Sequence, residues 1–148
     1  MSKQLGPFRF VLCAAPAYLE RKGTPQKPAE LECHDCVRYR FPTTGKLRDW
    51  SISTDAIWSQ LLLPSVLTFN NMEAVFTAAI DGHGIAYMPD FLVHKAVREK
   101  LLQIVLDDDQ QEHGQFWALW PSNRHLSPKI RVFVDFISAQ LFTQGTHI

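Results

Sequence analysis

Apolar residues crowd the start of the chain. Phe8-Arg-Phe-Val-Leu-Cys-Ala14 is a dense run of β-forming residues and predicts a buried strand over 8–14. Pro16 suits a first helical turn, so a short helix is expected over 16–22. Gly23-Thr-Pro25-Gln-Lys-Pro28 is punctuation, with a glycine and two prolines in six residues. Alternation from Cys36 to Phe41 predicts a strand, followed by a turn at Pro42-Thr-Thr-Gly45. Trp50–Ser53 and Ser65–Phe69 are short strand candidates.

The segment Asn70-Asn71-Met72-Glu73 predicts a helix start of the capping-box kind. Asn70 would accept from the amide near Glu73, and Glu73 would reach back. Met72, Val75, Phe76 and Ala79 then lie on one stripe of an amphipathic helix, which Gly82 is placed to end in a left-handed turn. Ile85–Met88 reads as a strand closed by Pro89, and Asp90 as the cap of a helix running to about Lys100. Leu101–Leu106 is a further strand, residues 107–114 a polar loop, and Phe116–Trp120 a last strand. Ser127 and Pro128 mark a final helix start. Ile130, Phe133, Val134, Ile137 and Leu141 form one apolar stripe there. Val132, Phe136 and Ala139 lie nearly opposite, so this helix is expected to be buried on two faces. Strands alternating with helices favour an α/β sheet with some parallel pairing.

Composition narrows the class. The chain has 148 residues, enough for one ordinary domain, and its 46% hydrophobic and 20% charged content argues against disorder or a disulfide-stapled scaffold. Fifteen basic against fifteen acidic residues leave no net charge, which argues against DNA binding by this chain alone. No segment approaches the roughly 20 apolar residues of a membrane span, and the start at Met1 lacks a signal-peptide pattern. Three cysteines without an export signal are expected as thiols, in a soluble cytoplasmic protein.

The candidate chemistry is sparse. Cys33-His34-Asp35-Cys36 has the spacing of a metal knuckle or redox pair, but no second ligand pair accompanies it; Cys36 reads as a buried small residue at a strand start. Gly82-His83-Gly84 follows a helix and precedes a strand, the reverse of a phosphate loop, and reads as a turn. Asp107-Asp108-Asp109 lacks the spacing of a calcium loop. No nucleophile elbow and no triad can be assembled, so neither catalytic nor metal residues are assigned. The positive feature is the Asn70-Asn71 helix start. Its free amides and dipole suit a carboxylate, with Thr68 able to add a hydroxyl, although capping alone explains the asparagines equally well.

In series, these residues carry a resemblance. Phe10-Val-Leu-Cys-Ala-Ala-Pro-Ala-Tyr-Leu19, Gly23-Thr-Pro25 with Pro28-Ala-Glu-Leu31, and His34-Asp-Cys36 come first. Trp50, Asn70, Ala78-Ala-Ile-Asp-Gly-His-Gly-Ile-Ala-Tyr-Met-Pro89 with Phe91-Leu-Val93, and the segment from Pro121 to Pro128 follow. Their order and spacing across nearly the whole chain resemble the effector-binding domain of LysR-type transcriptional regulators, in its C-terminal portion.

The resemblance implies an α/β fold of the type 2 periplasmic-binding-protein kind, with one lobe complete and the other only partly present. Residues 6–112 would form the second lobe. Residues 113–148 would return a strand and the last helix to the first lobe, whose remainder, with the helix-turn-helix, is expected to lie outside the chain. It implies a bacterial, cytoplasmic transcription regulator that binds a small organic effector, a carboxylate by the helix-terminus argument, in an interlobe cleft. DNA would be bound only through the absent helix-turn-helix. A homo-oligomer is implied, without catalysis, cofactor or membrane. The effector contacts that carry over are Thr68, Phe69, Asn70, Asn71 and Trp117. Phe69, Trp117 and Trp120 would suit an aromatic or amphipathic effector. Departures from the family pattern are Ala15, where serine is common, and His83, where leucine is common. The alternative is a stand-alone truncated chain that pairs with full-length regulators.

Overall fold

The structure is a computed structural model, described here for residues 2–52, 62–109, 112–121 and 127–141. The chain divides into two compact units, residues 9–112 and residues 1–8 with 113–148.

In the 9–112 unit the sheet runs in the order β3-β2-β4-β1-β5, built from β1 (Ser2–Ala14), β2 (Cys36–Tyr39), β3 (Ser65–Phe69), β4 (Ile85–Pro89) and β5 (Gln103–Val105). Here β2 lies parallel to β3 and β4, while β1 is antiparallel to β4 and β5. The helices are α1 (Pro16–Lys22), α2 (Met72–Ile80) and α3 (Asp90–Arg98), with a 3-10 turn at Pro28–Cys33 that the sequence pattern did not announce.

Period-two alternation splits this sheet into two faces. On one face Val11, Cys13, Val37, Ala86 and Met88 pack with Val75, Ala78 and Ala79 of α2 and Val93 and Ala96 of α3, all buried. The other face carries Phe10, Leu12, Arg38 and Tyr87. Leu12 is paired in register with Tyr87, and Arg38 with Thr68.

Helix ends explain most boundary differences. At the end of α2 the His83 amide donates to Ala78 O and the Gly82 amide to Ala79 O, each at 3.1 Å, with Gly82 at φ +81°: the expected left-handed termination. Lys100 plays the same part after α3, at φ +60°, with Leu101 N bonded to Ala96 O at 2.8 Å and Lys100 N to Val97 O at 3.1 Å. This closing turn consumes residues 100–101, so β5 starts at Gln103 rather than at Leu101. The cap position of α3 is Pro89, not Asp90. Asp90 is the first helical residue, and its carboxylate accepts from the Phe91 amide at 2.8 Å.

Trp50–Ile52 is not a strand. The Arg48 amide bonds to Tyr39 O at 2.8 Å as the chain doubles back. Beyond that bond, Trp50 is engaged through its ring, 5.9 Å from that of Tyr87. Ser53, the end of that expected strand, lies outside the described residues.

In the other unit β6 (His113–Leu119) pairs with β1, and α4 spans Pro128–Leu141, starting at the expected proline. That pairing extends β1 back to Ser2, well before the expected start at Phe8. Lys3 is ion-paired with Asp135 at 2.6 Å, and Phe8 lies 4.8 Å from Phe116. Gly114 is required here, because a side chain would drive into the Phe8 ring. Among the described residues α4 is not buried on both of its apolar faces, and it exposes the aromatic surface expected of such a helix without its full partner sheet. Val134 is buried, but Val132, Phe133 and Phe136 are 69%, 62% and 61% exposed. Among the described residues this unit offers β6 and the start of β1, too little sheet to cover both sides of a helix.

Candidate functional site

The strand-to-helix corner at 68–72 is built by register. Tyr39 pairs with Phe69 as the last pair of β2 and β3, and the Arg40 amide bonds to Phe69 O at 2.8 Å. That bond holds the chain extended past Phe69, so the helix begins one residue later than expected. The cap is Asn71 and not Asn70. Asn71 Oδ1 accepts from the Glu73 amide at 2.8 Å and the Ala74 amide at 3.3 Å. Asn70 is exposed, Thr68 is exposed on β3, and Phe69 is half-buried against the core beneath α2. The structure thus brings Thr68, Phe69, Asn70 and Asn71 together in one corner. Trp117 belongs to the other unit, on β6, where it is 54% exposed.

Beside Thr68 lies a polar and aromatic cluster that the sequence reading missed. Arg38, 7% exposed, donates from Nη2 to Arg48 O at 2.8 Å, and its guanidinium lies 5.2 Å from the Trp50 ring centroid. Arg48 stacks on Phe10 at 3.9 Å and is ion-paired with Glu112, which also accepts from the Tyr87 hydroxyl at 3.0 Å. Burial and the nearby Glu112 carboxylate push the Tyr87 phenol well above its ordinary range. Arg38 and Arg40 take the polar positions of the alternating 36–41 run, a pattern that reads as solvent-facing, so the sequence carried no signal that Arg38 is buried.

A second buried polar group joins α1 to the start of β2. The Tyr18 hydroxyl lies 2.9 Å from His34 Nδ1 and accepts the Asp35 amide proton at 2.9 Å. Asp35 O in turn accepts from the Ile85 amide at 2.8 Å, and Gly84 is required beside it because a Cβ would collide with that carbonyl. Burial, reinforced by Lys22, lowers the His34 pKa from its ordinary value.

Cys36 is buried, as its position at a strand start suggested, and burial pushes its thiol up to about 12; Cys33 is exposed. Cys13 is likewise pushed up to about 12. Buried thiols held this far from ionisation are poor nucleophiles and poor metal ligands. Among the described residues no group of three or more potential ligands is arranged to hold a metal ion.

Comparison with known proteins places the fold. The family model of the LysR substrate binding domain matches residues 2–141, and the chain belongs to that family. It is 30% identical over 141 residues to the HTH-type transcriptional regulator CrgA of Neisseria meningitidis serogroup C (strain 8013), covering 95% of this chain and 46% of that protein. It is 28% identical over 133 residues to the HTH-type transcriptional regulator PgrR of Escherichia coli (strain K12), covering 89% of this chain and 44% of that protein. Among solved structures, the CrgA regulatory domain matches with a TM-score of 0.81 at 30% identity, over 95% of this chain and 68% of that one. The chain therefore has the periplasmic-binding-protein-like fold of LysR regulatory domains, and it spans about half the length of the curated relatives it matches.

Proposed function

We propose that this chain is the ligand-sensing part of a bacterial LysR-type transcription regulator, and that it binds a small organic acid at the corner formed by Thr68, Phe69, Asn70 and Asn71. The observation that carries the reading is the match to the LysR substrate binding domain along residues 2–141, together with the exposed Thr68 and Asn70 at the end of a parallel strand. The helix that starts there adds a favourable dipole end, and unspent polar groups stand ready to orient an anion. Trp117 is proposed as a further effector contact on the family resemblance alone. Residues 6–112 are assigned to the second lobe of the family domain and 113–148 to the first.

In this proposal DNA contact belongs to a helix-turn-helix segment outside these residues, and the regulator works in the cytoplasm as a homo-oligomer. The exposed apolar side chains Val132, Phe133 and Phe136 suit such assembly. The chain performs no catalysis. A thermal-melt screen against small organic acids and matched neutral compounds tests the proposal. A binder raises the melting temperature in proportion to the logarithm of its concentration. Absence of any saturable stabilisation across both sets contradicts it.

A further inference from the structure

Arg48 is held by its backbone to one part of the 9–112 unit and by its side chain to another. Its amide donates to Tyr39 O at 2.8 Å, and its carbonyl accepts from Arg38 Nη2 at 2.8 Å. Tyr39 and Arg38 are the register partners of Phe69 and Thr68, and the next residue, Arg40, donates its amide to Phe69 O at 2.8 Å. The Arg48 backbone is therefore fixed to the two β2 residues that lie beside the 68–71 corner. The residues after it strengthen this attachment. The Asp49 carboxylate favours the charge on Arg38, and the Trp50 ring centroid lies 5.2 Å from the Arg38 guanidinium.

The guanidinium of Arg48 is engaged elsewhere. It is ion-paired with Glu112 and lies 3.9 Å from the Phe10 ring centroid. These two residues stand where the chain enters the 9–112 unit and where it leaves. The Phe10 amide donates to Glu112 O at 3.0 Å, so the incoming and outgoing segments are joined there. Glu112 also accepts from the Tyr87 hydroxyl on β4 at 3.0 Å, which anchors its carboxylate at that point. With side chains only 19% and 28% exposed, the Arg48–Glu112 pair is better shielded than a surface ion pair, and a guanidinium–carboxylate contact is directional. One residue thus touches both the corner assigned above to the effector and the crossover.

We propose that Arg48 is a positioning residue that couples the 68–71 corner to the crossover at Phe10 and Glu112, so that a ligand seated at the corner is felt where the chain enters and leaves this unit. The proposal rests on the ligand-sensing reading above for the role of the corner, and adds to it the residue through which occupancy is passed on. A ligand that draws Thr68 or Phe69 towards itself moves their partners in β2, and with them the Arg48 backbone. The guanidinium then shifts against Glu112. Energetic coupling of this kind runs through contiguous bonded and packed groups, and it is reciprocal. A change made at Glu112 must therefore be felt at the corner.

The test needs no ligand. Amide chemical shifts of the whole chain are mapped for Glu112→Gln, alone and in an Arg48→Met background, with Arg9→Gln as the control. Arg9 is ion-paired with Asp107 at 2.6 Å beside the same crossover, a contact that does not involve Arg48. The expected result is that Glu112→Gln shifts the Phe10 amide and the amides of residues 68–71, and that the shifts at 68–71 vanish in the Arg48→Met background. Arg9→Gln should leave 68–71 unshifted. A purely local role of the ion pair would move Phe10 and its surroundings alone. If Arg48→Met does not fold, Arg48→Gln takes its place in the cycle. Shifts confined to the crossover, shifts at 68–71 that persist without the Arg48 guanidinium, or equal shifts there in Arg9→Gln overturn the role of Arg48 and leave the ligand-sensing reading standing. Failure of the melt screen falls on that reading instead.

Discussion

The Tyr18 hydroxyl and His34 Nδ1 lie 2.9 Å apart, and the same hydroxyl accepts the Asp35 amide proton. The hydroxyl thus serves two partners at once, the Asp35 amide and the His34 imidazole. One phenol oxygen therefore joins α1 to the first residues before β2. Removing it in Tyr18→Phe leaves a buried amide and a buried imidazole nitrogen without that partner. The expected cost is about 2 kcal/mol of stability, measured by chemical denaturation.

The same pair sets a pH dependence. His34 has a lowered pKa in the folded chain, through burial first and Lys22 second, with Asp35 and Glu30 pulling the other way. The unfolded chain then binds more protons than the folded one as pH falls below the ordinary histidine value of about 6.5. Stability from this group is fully present above that value and is lost as pH falls towards the folded pKa. Melting temperature should drop on going from about pH 7 to about pH 5, and His34→Gln should flatten that part of the profile.

The two asparagines of the corner separate cleanly. Asn71 caps α2 through two amide bonds, so Asn71→Ala should cost about 1 kcal/mol. Asn70 makes no such bond and is exposed, so Asn70→Ala should leave stability within about 0.5 kcal/mol. Its effect is expected on effector affinity instead. Paired denaturation and binding curves measure both.

Gly84 and Gly82 differ in kind. A Cβ on Gly84 meets the Asp35 carbonyl, which is fixed by the Ile85 amide, so Gly84→Ala should cost about 2 kcal/mol or more through forced displacement of backbone. At Gly82 there is open space and a φ of +81°, so Gly82→Ala should cost about 1 kcal/mol in backbone strain. Lys100, a lysine at φ +60°, is the converse case, and Lys100→Gly should be neutral or stabilising by up to about 1 kcal/mol. Melts of the three variants rank these effects.

What local pattern can show, it showed here. The proline starts of α1 and α4, the amphipathic stripe of α2 and the Gly82 ending depend on a few neighbouring residues, and each is found in place. Long-range pairing was not legible. Residues 2–7 look polar and broken by Gly6-Pro7, yet they are strand because β6 pairs with β1. The cap shifted to Asn71 because the Arg40 amide, thirty residues earlier in the chain, holds Phe69 extended. The corner itself could be named from sequence. Its neighbours Arg38, Arg48, Trp50 and Glu112 come from three separated segments, and tertiary contact assembles them.

The most direct measurement is amide chemical-shift mapping of the chain, titrated with an acid selected in the melt screen. The prediction is saturable shifts concentrated at residues 68–71, the segment assigned to the effector. Saturable shifts that leave this corner untouched, or no saturable shift with any acid, would contradict it.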